Sequence, residues 1–348
     1  MERNYPFIYI MEDGTEDVVP EDVISDEVRM QAAAVIADKN EKIQKFFQFQ
    51  EMTREKIYES LKKGYLKEVN ITRDVRQVVE EILKDVTAAG VRFLNTTLYK
   101  SEDTYFLDHA INTTVLAVLI GKKYLFTTPE LIDLAVGTFL HDFGKIIINK
   151  MNAFPGSKKR EDLYKEHPTF GYLLLHNSHN VSPIVTQIVN QHHEYQNGSG
   201  FPVGLRGQNL PPTKIVQRET KGTIYRLAEI CCVVNEFDNM VLNPLAEKKL
   251  DLAQAMRELI LGAGKKYNKD IVAVLHSVVP YYPLGTTVRI KRIFDPTLIG
   301  YRGVVAKLNE EHLNKPMIVL LHDRMMKKIN PRVLDTSKLR SVELELII

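Results

Sequence analysis

The chain has 348 residues, 44% of them hydrophobic, and its 46 Lys and Arg against 44 Asp and Glu leave a net charge of +2. That length supports a sizeable core with smaller attachments. The balanced charge argues against a broad nucleic-acid surface while leaving room for a local phosphate site. The only two cysteines, Cys231 and Cys232, are adjacent and make poor disulfide partners. No run reaches the ~18 apolar residues of a membrane span, and the N-terminal MERNYPFIYIMEDG lacks the basic start of a secretion signal. The expected setting is reducing and cytoplasmic, with no membrane and no nucleic-acid partner.

Residues 5–10, YPFIYI, read as a short strand before an acidic loop from Glu12 to Glu27. From Val28 to Leu66, Ile36, Ile43, Phe46, Phe47, Ile57 and Leu61 recur at helical spacing, which predicts one or two amphipathic helices. These helices are candidates for a homodimer contact, a protein-partner surface or a signal-receiving element. From Ile71 to Ser277 helix follows helix. ELIDLAVGTFLH is apolar almost all round, as in a buried helix, with Pro129 in its first turn and Gly144 at its exit. After Leu284 the texture changes, and VRIKRIF and PMIVLLH read as strands. The chain is therefore expected to be mainly α, with an N-terminal helical and strand segment (1–68), a helical domain (69–280) and a small β-rich C-terminal appendage (281–348). Arg289, Lys291, Arg292, Arg302, Lys327 and Lys328 are expected on a solvated strand face. GAGKKY at 262–267 lacks the glycine spacing and the Ser/Thr of a phosphate-binding loop and reads as a helix end.

The histidines of the helical region are unevenly placed. His109 lies in YFLDHAINTTVLAVLIG, His141 and Asp142 in TFLHDFGKI, and His167 before Pro168 in KEHPTFGYLLL, while His192 and His193 end IVTQIVNQHHE. Each sits within or at the end of a core-like segment. Buried imidazoles and carboxylates need partners, and a shared metal ion supplies them. One such histidine alone is more commonly a hydrogen-bonded core residue, and His176, His179, His276, His312 and His322 are assigned to that class or to the surface. Neighbours on a helix diverge by about 100°, so Asp142 can bridge two ions while His141 binds one, and His192 and His193 can divide the same way.

The ordered set HDFGK, His167 and HHEYQNGSGFPVGLRG resembles the HD-GYP family, a branch of the HD metal-dependent phosphohydrolases that hydrolyses cyclic di-GMP. The likeness spans roughly residues 90–245 and implies an HD-type helical bundle. It implies that His109, His141, Asp142, His167, His192 and His193 are metal ligands, with Asp142 bridging. It implies two divalent ions, iron first, with manganese, nickel and zinc as alternatives, and a metal-activated water that opens the cyclic dinucleotide to pGpG or on to GMP. Lys145 would face the substrate phosphate and Asp238 would pair with that lysine, both in the catalytic group with Asp142. NGSGFPVGLRG would be the signature loop, in which Gly200, Phe201, Pro202 and Arg206 contact substrate.

Four departures qualify the resemblance. Asn235, in VNEFDNM, stands where the family's last metal ligand is an aspartate, and brings a carbonyl oxygen without charge. Phe201 replaces the tyrosine of GYP and drops its hydroxyl. LNPLAEKK has Asn243 or Pro244 where an arginine should hold the dinucleotide, with Lys248, Lys249 or Arg206 as substitutes. Tyr105, four residues before His109, replaces a glutamate that binds a third metal in some members, so two ions are expected. Two readings follow: a dinuclear cyclic di-GMP phosphodiesterase, or a weak or inactive member acting as a cyclic dinucleotide receptor or protein-interaction scaffold.

Overall fold

A computed structural model describes residues 23–47, 54–65, 71–88, 104–151, 160–178, 180–217, 220–241, 250–309 and 311–347. The strand expected at 5–10, the acidic loop up to residue 22, His179, and the run containing Asn243, Pro244, Lys248 and Lys249 lie outside these residues.

Twelve helices lead the described chain: α1 (Asp26–Phe47), α2 (Arg54–Lys62), α3 (Ile71–Ala88), α4 (Tyr105–Lys123), α5 (Thr128–Leu140), α6 (Gly144–Met151), α7 (Arg160–Tyr164), α8 (His167–His176), α9 (Pro183–Gln191), α10 (Arg226–Met240), α11 (Leu252–Gly262) and α12 (Lys269–Val278). The central one is α4, buried without a break from Asp108 to Gly121, as its apolar run demands. Helix starts follow local chemistry. Pro129, Pro168 and Pro183 occupy first turns of α5, α8 and α9, where a missing N–H costs nothing. Asp251 and Asn268 cap α11 and α12 through their side chains.

Gly144 corrects one expectation. It does not close α5 but opens α6, and a Cβ on it would stand 1.9 Å from the His167 carbonyl oxygen. The glycine is there for the close crossing of α6 and α8, which brings Lys145 and His167 to the same place.

The helices share one apolar core, and α1 and α2 contribute Val28, Ala32, Ile43, Ile57 and Leu61 to it. Charged contacts fasten these two helices: Arg29 to Asp108 at 3.4 Å, buried Lys39 to Asp38 and Asp74, and Arg54 to Glu166 at 2.8 Å.

Beyond α12 a five-stranded antiparallel sheet in the order β4-β3-β2-β1-β5 is built from β1 (Thr287–Ile293), β2 (Arg302–Lys307), β3 (Met317–His322), β4 (Lys328–Asp335) and β5 (Val342–Leu346). It has its own cluster of Val288, Ile290, Ile293, Leu298, Val305, Ile318, Leu320 and Leu344. A register shift between Ile290 and Arg292 puts Lys291 and Arg292 both outside and returns Ile293 to the core. Arg289 and Lys291 lie against Glu345 of β5, so these basic residues do form a solvated, cross-strand-paired face.

Candidate metal centre

Four helices deliver the six predicted ligands to one buried point. His109 comes from the middle of α4, His141 and Asp142 from the turn after α5, His167 from the first residue of α8, and His192 and His193 from the turn after α9. All six are within 4% of complete burial. α10 crosses them and adds Asn235 and Asp238.

The rings are held by their Nδ1 atoms. His141 Nδ1 is 2.6 Å from the Thr138 carbonyl, His167 Nδ1 2.6 Å from the Tyr164 carbonyl and His192 Nδ1 2.7 Å from the Val189 carbonyl. His109 Nδ1 is 2.6 Å from Asp238 Oδ2. Every one of these partners accepts, so each Nδ1 carries the proton and each Nε2 presents a lone pair. Burial disfavours the charged form of four of these rings, pulling His141 down to about 4 and His167, His192 and His193 below the ordinary histidine range.

The lone pairs face one another. His109 Nε2 and His141 Nε2 are 3.1 Å apart, and His167 Nε2 and His192 Nε2 are 3.0 Å apart. Between the two pairs lies Asp142. Its Oδ2 is 3.5 Å from both His109 and His141, and its Oδ1 is 3.3 Å from His167 and 3.8 Å from His192. Two converging groups result, His109–His141–Asp142 and Asp142–His167–His192–His193, each with ligand atoms within 4.8 Å of one another. Burial works against the charged form of Asp142, yet Lys145 and the imidazoles hold its carboxyl well below the usual range. Neutral lone pairs packed nose to nose around an anion repel, and among the described residues Asp142 Oδ1, His193 Nδ1 and Asn235 Nδ2 have no hydrogen-bond partner. Cations in the two groups resolve the repulsion and fit the nitrogen and oxygen donor set.

Asn235 joins the first group. Its Oδ1 is 3.1 Å from His109 Nε2 and accepts from Asn239 Nδ2 at 2.7 Å, so its acceptor side, the side that can ligate, is turned inward. Tyr105 stacks parallel over His109 and donates to Asn239 at 2.7 Å.

One predicted pairing changes. Lys145 Nζ contacts Asp142 Oδ2 at 2.5 Å, and Asp238 bonds to His109 and to Asn112 instead of pairing with the lysine. Asp238 thus fixes the tautomer of a candidate ligand, a carboxylate–histidine pairing common at metal sites. Arg206 lies in the loop and touches none of the cluster ligands in a described contact. Its backbone ties the loop to Gly222 and Ile224, while its exposed side chain lies along Gly198.

The signature loop is held by Glu194. That buried carboxylate accepts from the backbone N–H groups of Val203, Gly204 and Leu205 at 2.7, 3.1 and 2.8 Å. Gly200 packs where a Cβ would meet the His193 carbonyl at 2.3 Å, and the Phe201 N–H donates to that carbonyl at 3.1 Å. Phe201 then stacks on the His193 ring, with centroids 4.5 Å apart, and the Phe201–Pro202 peptide is cis. The Phe201 ring thereby forms a wall against the His193 imidazole, a candidate ligand.

Three neighbours escape a reading of the sequence. Tyr164, one helical turn before His167, has its ring against His167, His193 and Phe201 and its hydroxyl 3.4 Å from His193 Nε2. Glu236, beside Asn235, lies 3.9 Å from His193 Nδ1 and accepts from Tyr195, Tyr267 and Lys266 at 3.1, 2.9 and 3.0 Å. Lys266 belongs to GAGKKY, which does mark the end of α11. The spacing of Tyr164 to His167 was the only available signal.

Residues 78–216 match the family described as HD domain. The chain is 23% identical over 275 residues to a cyclic di-GMP phosphodiesterase of Pseudomonas aeruginosa, covering 77% of this chain and 60% of that protein. It is 29% identical over 163 residues to one of Thermotoga maritima, covering 45% and 39%, and 22% identical over 247 residues to one of Borreliella burgdorferi, covering 70% and 58%. The chain thus spans from about two fifths to three fifths of these relatives' lengths. A solved HDG"Y"P protein from Bdellovibrio bacteriovorus superposes with a TM-score of 0.46 at 16% identity, over 74% of each chain.

Proposed function

We propose that this HD-domain chain is a dinuclear metal-dependent phosphodiesterase acting on cyclic di-GMP or a related cyclic dinucleotide, with pGpG and then GMP as products. The observation that carries the reading is the two-sided Asp142, with one oxygen toward His109 and His141 and the other toward His167 and His192. The similarity to three bacterial proteins named cyclic di-GMP phosphodiesterases supports the choice of substrate.

In this reading His109, His141 and Asn235 would hold one ion, His167, His192 and His193 the other, and Asp142 would serve both. Two divalent ions, iron first among the candidates, would supply a more acidic water and neutralise charge developing on the phosphoryl group. The chain's own residues do the rest. Lys145, whose ammonium is partly exposed beside Asp142 and 5.3 Å from the Tyr164 ring centroid, meets a phosphate oxygen. Asp238 keeps the His109 proton on Nδ1, away from the ion. Phe201 and Tyr164 close the His193 side against bulk water. Tyr105 fills the position over His109, which limits the site to two ions.

A second reading, a cyclic dinucleotide receptor, is favoured by Asn235, whose neutral oxygen holds an ion more weakly than a carboxylate does. Elemental analysis of anaerobically purified protein, paired with cyclic di-GMP turnover on the same sample, separates the two. Close to two ions per chain with pGpG or GMP formed is the expected result. Two ions with no product selects the receptor, and one ion or none removes the dinuclear site.

A further inference from the structure

A cavity of about 660 Å³ lies between α1 and the start of α4 on one side and α6 on the other. Its size falls within the roughly 300–1,000 Å³ of small-molecule sites. The wall is mostly apolar, with Ile36, Phe106 and Ile146, and carries three carboxamides, Asn40, Gln44 and Asn149. Lys145 is also in the wall. The same lysine reaches Asp142, so cavity and metal cluster share a side chain. Phe106 further packs on Phe143, the residue after Asp142, with ring centroids 6.0 Å apart.

We infer that this cavity takes a purine base of the cyclic dinucleotide whose phosphate lies at Lys145 and the cluster. The inference rests on the function proposed above and adds a specificity pocket supplied by the N-terminal helix. Asn40 and Gln44 sit one turn apart on α1, and Gln44 Nε2 donates to Asn40 Oδ1 at 2.9 Å. That bond orients both amides and leaves an N–H donor on Asn40 beside a carbonyl acceptor on Gln44. Either orientation of the pair leaves one donor and one acceptor. A purine edge presents the complementary pattern, and carboxamides read bases in this bidentate way. The Phe106 ring and the Ile36 side chain supply apolar surface for the faces of the base. α1 lies outside the HD-domain match, so the selectivity for the base would come from a segment that the hydrolytic fold does not itself provide.

The test uses the full chain loaded with metal. Two variants address the cavity: Ala37→Phe, which adds bulk from an exposed position in its wall, and the pair Asn40→Leu and Gln44→Leu, which removes the donor and acceptor. Melting temperature and metal content identify any variant that fails to fold. Binding of fluorescently labelled cyclic di-GMP, cyclic GMP-AMP and cyclic di-AMP is measured directly. Turnover of bis(p-nitrophenyl) phosphate, a diester without a purine, is measured alongside. Each variant is expected to weaken binding of at least one dinucleotide about tenfold or more, and to lower its affinity relative to the purine-free diester by the same factor. Dinucleotide affinities within twofold of the parent in both folded variants overturn the pocket, whatever the turnover. If the parent binds dinucleotides without hydrolysing them and the variants lose that binding, the pocket stands and the phosphodiesterase reading falls. A parent that hydrolyses the purine-free diester but binds no dinucleotide overturns the pocket.

Discussion

Among the described residues the helices bury Lys39, Asp108, five histidines, Asp142, Glu194, Arg226, Glu229, Asn235 and Asp238 beside their aliphatic core, whereas the sheet buries only Thr336 as a polar side chain. The two regions were made from similar apolar stock, so the difference lies in what else each interior holds. Buried polar groups cost free energy unless partnered. In the helices they sort into two kinds. Glu229 accepts from Gln196, Gln217 and Asn268 at 2.8, 2.6 and 2.7 Å, and buried Arg226 donates to Glu130 at 2.8 Å. Those groups find partners within the protein and tie the signature loop and α5 to α10. The Nε2 atoms of His109, His141, His167 and His192 do not, since they face each other in pairs. A core that satisfies some of its charge internally and leaves one knot of lone pairs unsatisfied locates its chemistry at that knot.

The contrast can be broken most severely at Asp142. Asp142→Asn removes the charge shared by both groups, so metal content is expected to fall from two ions to one or none. Diester hydrolysis should drop by about a hundredfold or more. Elemental analysis and turnover of the same preparation check both, and full metal content in the variant would show that the carboxylate does not bridge.

The sheet supplies the opposite case. Leu320→Ala in β3 opens a void in an apolar cluster and is expected to cost about 2–5 kcal/mol of stability, read by denaturant unfolding. Metal content should be untouched, because nothing in that cluster reaches the site. A parallel loss of metal would mean that the two interiors are coupled.

The smallest effect sharpens the internally paired kind of charge. Glu130 is held at about 2: burial raises it, but the hydroxyl and backbone N–H of Thr127, with Arg226 and Lys214, outweigh burial. A lowered carboxyl contributes stability above its unfolded value of 4.5, and that contribution is lost as pH falls from there through about 2. Glu130→Gln should cost about 1–3 kcal/mol near neutral pH and flatten this part of the acid limb. Unfolding curves at pH 6 and pH 3 on both proteins measure the difference, and equal acid sensitivity would assign the loss to another carboxyl.

Much of the molecule was legible from its residues alone. Helical periodicity and first-turn prolines marked α1, α5 and α8, and the strand-like runs VRIKRIF and PMIVLLH marked β1 and β3, because these signals act within a few residues of the chain. Six buried candidate ligands could be named because their order along the sequence is itself distinctive. What stands against each of them could not. Asp238 was assigned to Lys145 and instead serves His109, 129 positions away. Gly144 reads as a helix exit and is a crossing point, since the His167 carbonyl and the Gly171 nitrogen leave no room for a side chain there. The grip of Glu194 on its loop, the placement of Glu236 and the cavity under α1 belong to the same class. Local pattern determines which residues are turned inward, through the fixed periods of helix and strand. Which interior group meets which is decided by the packing of segments far apart in the chain, and the chemistry of the site lies in those meetings.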